Sequence, residues 1–125
     1  MDVRKEENMP FIRTTTNVEL NSEKEKKLRE GTAQLVKEIL GKDPVRMMTA
    51  YEGGIHLSRG LSGEKQPTAF VECKFFGGGP YEIFEEFDQK MHALYQEVLL
   101  VEPQDLYIKY EVINGWDHPA QIFKI

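Results

Sequence analysis

Cysteine is almost missing: Cys73 is the one thiol in 125 residues. A lone thiol closes no intrachain disulfide and builds no zinc quartet, which excludes a disulfide scaffold and a structural zinc module. Long apolar runs are missing too; none approaches the roughly 20 residues that span a bilayer. The first eight residues carry Asp2, Arg4, Lys5, Glu6 and Glu7 and lack the apolar segment of a secretory leader. The three histidines, His56, His92 and His118, are scattered without the spacing of metal ligands, so no metal is expected. Basic charge is scarce, with 16 Lys and Arg against 21 Asp and Glu and a net charge of −5. That balance argues against a nucleic-acid partner, which calls for a basic face. Aromatic and branched aliphatic residues are plentiful, so the chain can bury enough apolar surface to avoid disorder. The expectation is one globular, cytoplasmic domain with no membrane partner. Its length suffices for a real core, since about 150 residues bury about 70% of their unfolded surface.

An internal repeat is present. Displaced by 59 positions, the sequence matches itself without a gap at eight of the 43 paired positions from Pro10/Ala69 to Glu52/Glu111. The identities include Phe11/Phe70, Leu35/Leu94, Leu40/Leu99, Pro44/Pro103, Tyr51/Tyr110 and Glu52/Glu111. A fixed-offset match of this kind marks two copies of one structural unit, each leaving an apolar face for the other to cover.

Each half reads as strand, helix, strand. Phe11 to Val18 is β-branched and aromatic, hence a strand. Ser22 with Glu25 is a capping box, after which Leu28, Thr32, Leu35 and Ile39 form a stripe at helical spacing. Gly41 follows where a helix end favours a left-handed residue. Asp43-Pro44 then breaks the chain before a strand from Val45 to Tyr51. In the second half, Ala69 to Phe76 is the strand and the Gly77-Gly78-Gly79-Pro80 run is a turn. That run lacks the Lys-Ser/Thr of a phosphate loop. Ile83, Phe84, Phe87, Met91, Leu94 and Val98 form the buried helical face, and Leu106 to Val112 is the last main strand. Gly53 to Gln66 connects the halves. The expected fold class is α+β: two pseudo-symmetric βαβ units forming a four-stranded mixed sheet, with both helices on one face. The opposite face (Arg13, Thr15, Glu72, Lys74) is not sorted by the pattern.

Four segments, Pro10 to Val18, Gly41-Lys42, Leu106 to Tyr110 and Gly115-Trp116, together resemble the tautomerase superfamily, and within it the macrophage migration inhibitory factor and D-dopachrome tautomerase group. The resemblance runs from Pro10 to about Phe123. It implies a homotrimer whose strands pair across subunits, active sites at subunit boundaries, and cofactor-independent keto–enol chemistry on 2-keto acids such as phenylpyruvate. Residues 10–125 are then the domain and residues 1–9 an N-terminal extension.

The family's catalytic group is a proline at the mature N-terminus, and the matching residue is Pro10. Inside a chain, a proline nitrogen is a tertiary amide whose lone pair is delocalised into the carbonyl. Only an uncapped Pro10 offers a secondary amine. Two explanations fit the preceding nine residues. In one, translation starts at Met9. Lys5-Glu6-Glu7-Asn8-Met9 can be encoded by a purine-rich ribosome-binding sequence ahead of a start codon, and Met-Pro favours removal of the initiator. In the other, the extension belongs to the protein and the activity is lost or changed.

The resemblance assigns further residues. Lys42 matches a lysine that pairs with the substrate carboxylate, although a lysine at a helix C-terminus is also favoured by the macrodipole. Arg46 matches an arginine suited to a bidentate carboxylate pair, a surface ion pair being the plain alternative. Tyr107 matches a pocket tyrosine donated by the neighbouring subunit. Lys109 stands where better-known members carry asparagine and, if it faces the site, adds a cation. The backbone N–H at Phe76 is a candidate donor to the developing enolate oxygen. Trp116 is a substrate-lining candidate that equally suits a core or an interface. The Cys-x-x-Cys of macrophage migration inhibitory factor is absent, with Thr68 and Val71 in those places. The rival reading is a non-catalytic trimeric binding or signalling protein of cytokine-like type, since fold does not fix function.

Overall fold

Arg13 and Glu72, one repeat apart in sequence, face each other across the sheet. The computed structural model describes residues 10–61, 63, 66–76, 81–113, 115–117 and 122–124, and it turns the 59-residue repeat into a two-fold axis. Strands β1 (Phe11–Thr16) and β3 (Ala69–Phe76) run antiparallel, and their register pairs Phe11 with Lys74 and Thr15 with Phe70. Those two pairs exchange under the repeat. The axis therefore crosses the sheet between Arg13 and Glu72. It leaves between helices α1 (Ser22–Glu38) and α2 (Tyr81–Leu99), where Thr32 Oγ1 meets Met91 Sδ at 4.0 Å, again one repeat apart.

Outside this central pair lie two parallel edge strands. β2 (Met48–Glu52) pairs with β1, and β4 (Leu106–Ile113) pairs with β3, so the order is β2-β1-β3-β4. The single-turn 3-10 helices Pro44–Arg46 and Pro103–Asp105 are likewise 59 residues apart. A short hairpin of β5 (Gly115–Asp117) and β6 (Ile122–Lys124) follows. The repeat extends to backbone strain. Gly41 and Leu100, equivalent positions just past each helix, both have left-handed φ, 65° and 61°.

Strand alternation assigns the two faces. Ile12, Thr14 and Thr16 with Val71, Cys73 and Phe75 are buried against Leu28, Thr32, Val36, Phe87, Met91 and Tyr95 of the helices. The residues between them face the other way, where Arg13 meets Glu52 at 3.5 Å and Lys74 meets Glu111 at 3.9 Å. Both helices thus share one face, as expected, and the α+β class with a four-stranded mixed sheet holds.

Several local expectations are corrected. β1 ends at Thr16, because the Asn17 side chain leaves the ladder to hold the interrepeat connection. Its Nδ2 donates to the carbonyls of Leu57 (3.0 Å) and Gln66 (2.8 Å), and its Oδ1 accepts from the Thr68 N–H (2.9 Å). The cap of α1 is Asn21, whose Oδ1 accepts from the Lys24 N–H at 2.8 Å, so the Ser22/Glu25 capping box does not form. The fully buried stripe of α1 is Leu28, Thr32 and Val36, with Leu35 and Ile39 on its flank. β2 starts at Met48 rather than Val45, because Asp43 accepts from the Val45 N–H at 2.9 Å and Pro44 winds the next residues into a turn. In α2 the stripe runs Phe87, Met91, Tyr95, Leu99, with Phe84, Leu94 and Val98 packed beside it. Tyr95 is accepted there because its hydroxyl has a buried partner, Thr14 Oγ1. The Gly77–Pro80 turn and residues 1–9 lie outside the described residues.

Candidate active site

Pro10 is buried at the start of β1, and its carbonyl accepts the Met48 N–H at 2.9 Å, tying it to the start of β2. Alternation with Ile12 and Thr14 turns Pro10 toward the helices. The antiparallel register, continued by one residue from Phe11–Lys74, sets Pro10 opposite Phe75.

The C-terminal end of α1 delivers Lys42 to the same place. Left-handed Gly41 turns the chain back, and the Lys42 N–H donates to the Val36 carbonyl at 3.2 Å. The Lys42 ammonium then lies 5.9 Å from the centre of the Phe75 ring. A cation over a ring whose residue is fully buried gains on the order of 1 to 2 kcal/mol and keeps its charge at the protein boundary. Phe75 is itself held by Phe84, stacked at 5.7 Å, and by Phe87, edge-on at 6.1 Å. Arg46 ends the turn that leads into β2, two residues before the Met48 N–H that Pro10 holds. Pro10, Lys42, Arg46 and Phe75 therefore gather at one end of the sheet. The ring of Phe75 is apolar, and the Lys42 ammonium is the cation placed over it.

Tyr107 and Lys109 do not join them within one chain. Both are exposed on β4, in rows with Thr15 and Arg13 respectively. Tyr107 is five residues along the sheet and two strands across from Pro10, which is about 19 Å at ~3.3 Å per residue and ~4.8 Å per strand. Lys109 lies on the open face, whereas Pro10 points to the helices. Trp116 has its backbone in β5, which begins two residues after Ile113, the partner of Phe76. The side chains of Trp116 and Phe76 lie outside the described residues.

The sequence reading placed Phe76 at the site and passed over Phe75, although the alternation Val71, Cys73, Phe75 was there to be read. It also missed Asn17, Arg59 and Asp105, whose roles depend on partners far along the chain. A cavity of about 450 Å³, lined by Asn17, Ile55, His56, Leu57 and Pro67, opens at the far end of β1 and holds none of the expected site residues. Cys73 is inert: desolvation first, and then the nearby Asp88 charge, push its thiol well above the usual range. Among the described residues no group of three or more His, Cys, Asp or Glu is arranged to hold a metal ion, and no helix is long and apolar enough to cross a membrane.

Two βαβ units about a two-fold axis, with a buried proline opening the first strand, define a recurrent α+β architecture. It is the fold of the macrophage migration inhibitory factor homologues. The crystal structure of Leishmania major MIF2 superimposes with a TM-score of 0.84 at 22% identity, covering 93% of this chain and 98% of that one. A macrophage migration inhibitory factor-like protein from Entamoeba histolytica gives 0.77 at 19%, covering 92% and 99%. The homologue from Prochlorococcus marinus gives 0.75 at 24%, covering 90% and 98%. No family model matches the sequence, and no curated protein matches it. At these identities the likeness is one of fold.

Proposed function

We propose that this chain is a cofactor-independent keto–enol tautomerase of aryl 2-keto acids such as phenylpyruvate, working as a homotrimer. The observation that carries this reading is the Lys42 ammonium over the ring of Phe75, at the end of the sheet where Pro10 precedes β1 and the backbone of Arg46 precedes β2. Pro10 acts when initiation at Met9 and removal of that residue leave its nitrogen a free secondary amine. A terminal amine ordinarily titrates at about 7.7 to 8.0. Desolvation and two neighbouring cations both disfavour its protonated form, so it is a competent base at neutral pH. Pro10 removes the proton α to the ketone and returns it at the other end of the enol system. Lys42 and Arg46 hold the carboxylate.

The trimer completes the site. Among the described residues β2 and β4 are the edges of the sheet, and Met48 on β2 and Tyr107 on β4 are 63% and 57% exposed. Unpaired edges with apolar side chains favour pairing with other copies. Such pairing lets Tyr107, about 19 Å from its own Pro10, serve the neighbour's site, with Lys109 and Trp116 beside it. The Phe76 N–H and Tyr107 then assist the enolate oxygen.

The test is ketonisation of phenylpyruvate by the Met9-initiated form, with mass spectrometry confirming a Pro10 terminus. Pro10→Gly is expected to lose on the order of 100-fold or more in kcat/KM, the usual range for a positioned base. An intact trimer with free Pro10 and no turnover of any keto acid would instead establish the non-catalytic binding or signalling protein.

A further inference from the structure

Helix α2 and the edge strand β4 leave a cavity of about 400 Å³ between them. Its walls are Phe84, Glu85, Asp88 and Gln89 of α2 and Ile108 and Tyr110 of β4. Phe84 and Asp88 are one helical turn apart, and Ile108 and Tyr110 are alternate residues of a strand, so each pair shares a face. Apart from Phe84, which supports Phe75, none of the six has a part in the site described above.

The walls are held by the fold itself. The Tyr110 hydroxyl donates to Asp88 Oδ1 at 2.9 Å, and His92 Nε2 lies 3.5 Å from Asp88 Oδ2. Burial first, and then Cys73 and Asp88, raise the Tyr110 pKa, so the phenol keeps its proton for that bond. The Tyr110 ring lies 5.5 Å from that of Phe84, tilted by 41°, and 6.3 Å edge-on from that of Phe87. The Asp88 side chain is still 37% exposed, so its charge reaches the cavity.

Two carboxylates beside two aromatic rings favour a cation. Hydrogen bonding selects its kind. A primary ammonium brings three N–H donors that need acceptors. Both Asp88 oxygens already face a protein partner, and Glu85 and Gln89 are exposed at the rim, where water competes for them. A quaternary ammonium has no N–H to satisfy and is held by charge and by ring contact.

The repeat shows that the fold does not impose this set of side chains. Fifty-nine positions earlier, Glu25, Lys26 and Arg29 stand in the places of Phe84, Glu85 and Asp88, although Tyr51 matches Tyr110. The first half thus replaces the ring by a carboxylate and both acids by bases.

We propose that the cavity between α2 and β4 binds a quaternary ammonium ion carried on a short stem, with Phe84 and Tyr110 against the charged head and Asp88 and Glu85 supplying the countercharge. This stands apart from the tautomerase reading and needs no free Pro10.

The test titrates choline into the full chain labelled with tyrosine carrying 13C at Cζ. It is run at about pH 8, above the ordinary imidazole pKa of about 6.5, so that a protonated His92 does not compete for Asp88. The resonance absent from Tyr110→Phe is that of Tyr110, one of five tyrosines. It is expected to move saturably, while that of Tyr51, assigned in the same way, stays in place. The neutral analogue of choline, with a tert-butyl group for the trimethylammonium, should bind on the order of 10-fold more weakly. Ethanolamine, a primary ammonium, should also bind more weakly than choline. Asp88→Asn keeps the shape and an acceptor for Tyr110, and should weaken choline about fivefold. Phe84→Leu should weaken choline on the order of fivefold and leave the neutral analogue unchanged. Glu85→Gln, at the exposed rim, repeats the charge test where the fold is not at stake, and should weaken choline but not the analogue. Any of four results overturns the proposal: no saturable shift of Tyr110, an equal shift of Tyr51, the neutral analogue or ethanolamine binding as tightly as choline, or full choline affinity in both charge variants.

Discussion

Replacing Thr14 by Val keeps the side-chain shape and removes one oxygen from the centre of the core. Thr14 and Tyr95 are both fully buried, 81 positions apart, and their hydroxyls bond only to each other among the described contacts. This bond pins α2 to β1, the strand that Pro10 opens. Burial holds the Tyr95 phenol neutral by pushing its pKa well up, so it needs a hydrogen-bond partner at every accessible pH. Thr14→Val leaves the phenol buried without one, at a cost of about 1 to 3 kcal/mol. Tyr95→Phe strands the threonine hydroxyl in the same way. Removing both leaves two apolar groups of the right shape and is expected to be nearly neutral. At ~2.1 cal/mol/K per residue of unfolding entropy, each single variant should melt about 4 to 11 °C lower, and the double within about 3 °C of the parent. Scanning calorimetry at matched chain concentration reads this, since any association adds to apparent stability. Additive losses would show that the two hydroxyls are satisfied independently and that the bond does not couple helix to strand.

Two more predictions concern the whole fold. Leu100 occupies the left-handed position that Gly41 holds in the first half, and it is 69% exposed, so its side chain contributes little packing. Leu100→Gly should stabilise by about 0.5 to 1 kcal/mol, the relief of a left-handed non-glycine residue less the entropy of glycine, and a lowered melting temperature would refute the reasoning. The second is a loss of stability in alkali. Burial raises the pKa of Cys73 and Tyr95 in the folded state, so the unfolded chain gives up these protons first. Their contribution is complete below the ordinary values of about 8.5 and 10 and is lost as pH rises beyond them. The unfolding free energy should fall from about pH 9 upward, each such group adding about 1.4 kcal/mol per pH unit once it titrates in the unfolded chain, with Tyr110 and Tyr51, also raised by burial, adding to the slope. The Cys73 thiol should resist a disulfide reagent at pH 8 until the chain unfolds. A flat profile to pH 11, or prompt modification, would contradict the burial of these groups.

Much of the architecture was legible because its signals are local. Strand β3 was read at its true ends, Ala69 and Phe76, since β-branched and aromatic residues there alternate between clear breaks. Gly41 announced its left-handed turn through its residue type alone. Errors came where a neighbour competed for the same role. Asn21 rather than Ser22 caps α1, and both residue types suit that position. Tyr95 was not on the expected buried stripe; a buried hydroxyl needs a partner, and that partner, Thr14, is 81 positions away in another element. At the site, Pro10 and Lys42 were singled out through a resemblance rather than through any local pattern. The ring of Phe75 beneath Lys42 was not singled out, because its part depends on a contact with the chain past the end of α1.

Periodicity and punctuation were enough to establish two equivalent βαβ units, since each depends on residues within a few positions of one another and recurs at a constant offset. Contacts across 46 and 81 positions settled the rest: which sheet face the helices cover, the Thr14–Tyr95 bond, the Arg59–Asp105 ion pair, and the distance between Tyr107 and Pro10. Such pairings arise from how the units dock on each other, and no short stretch of chain carries that information.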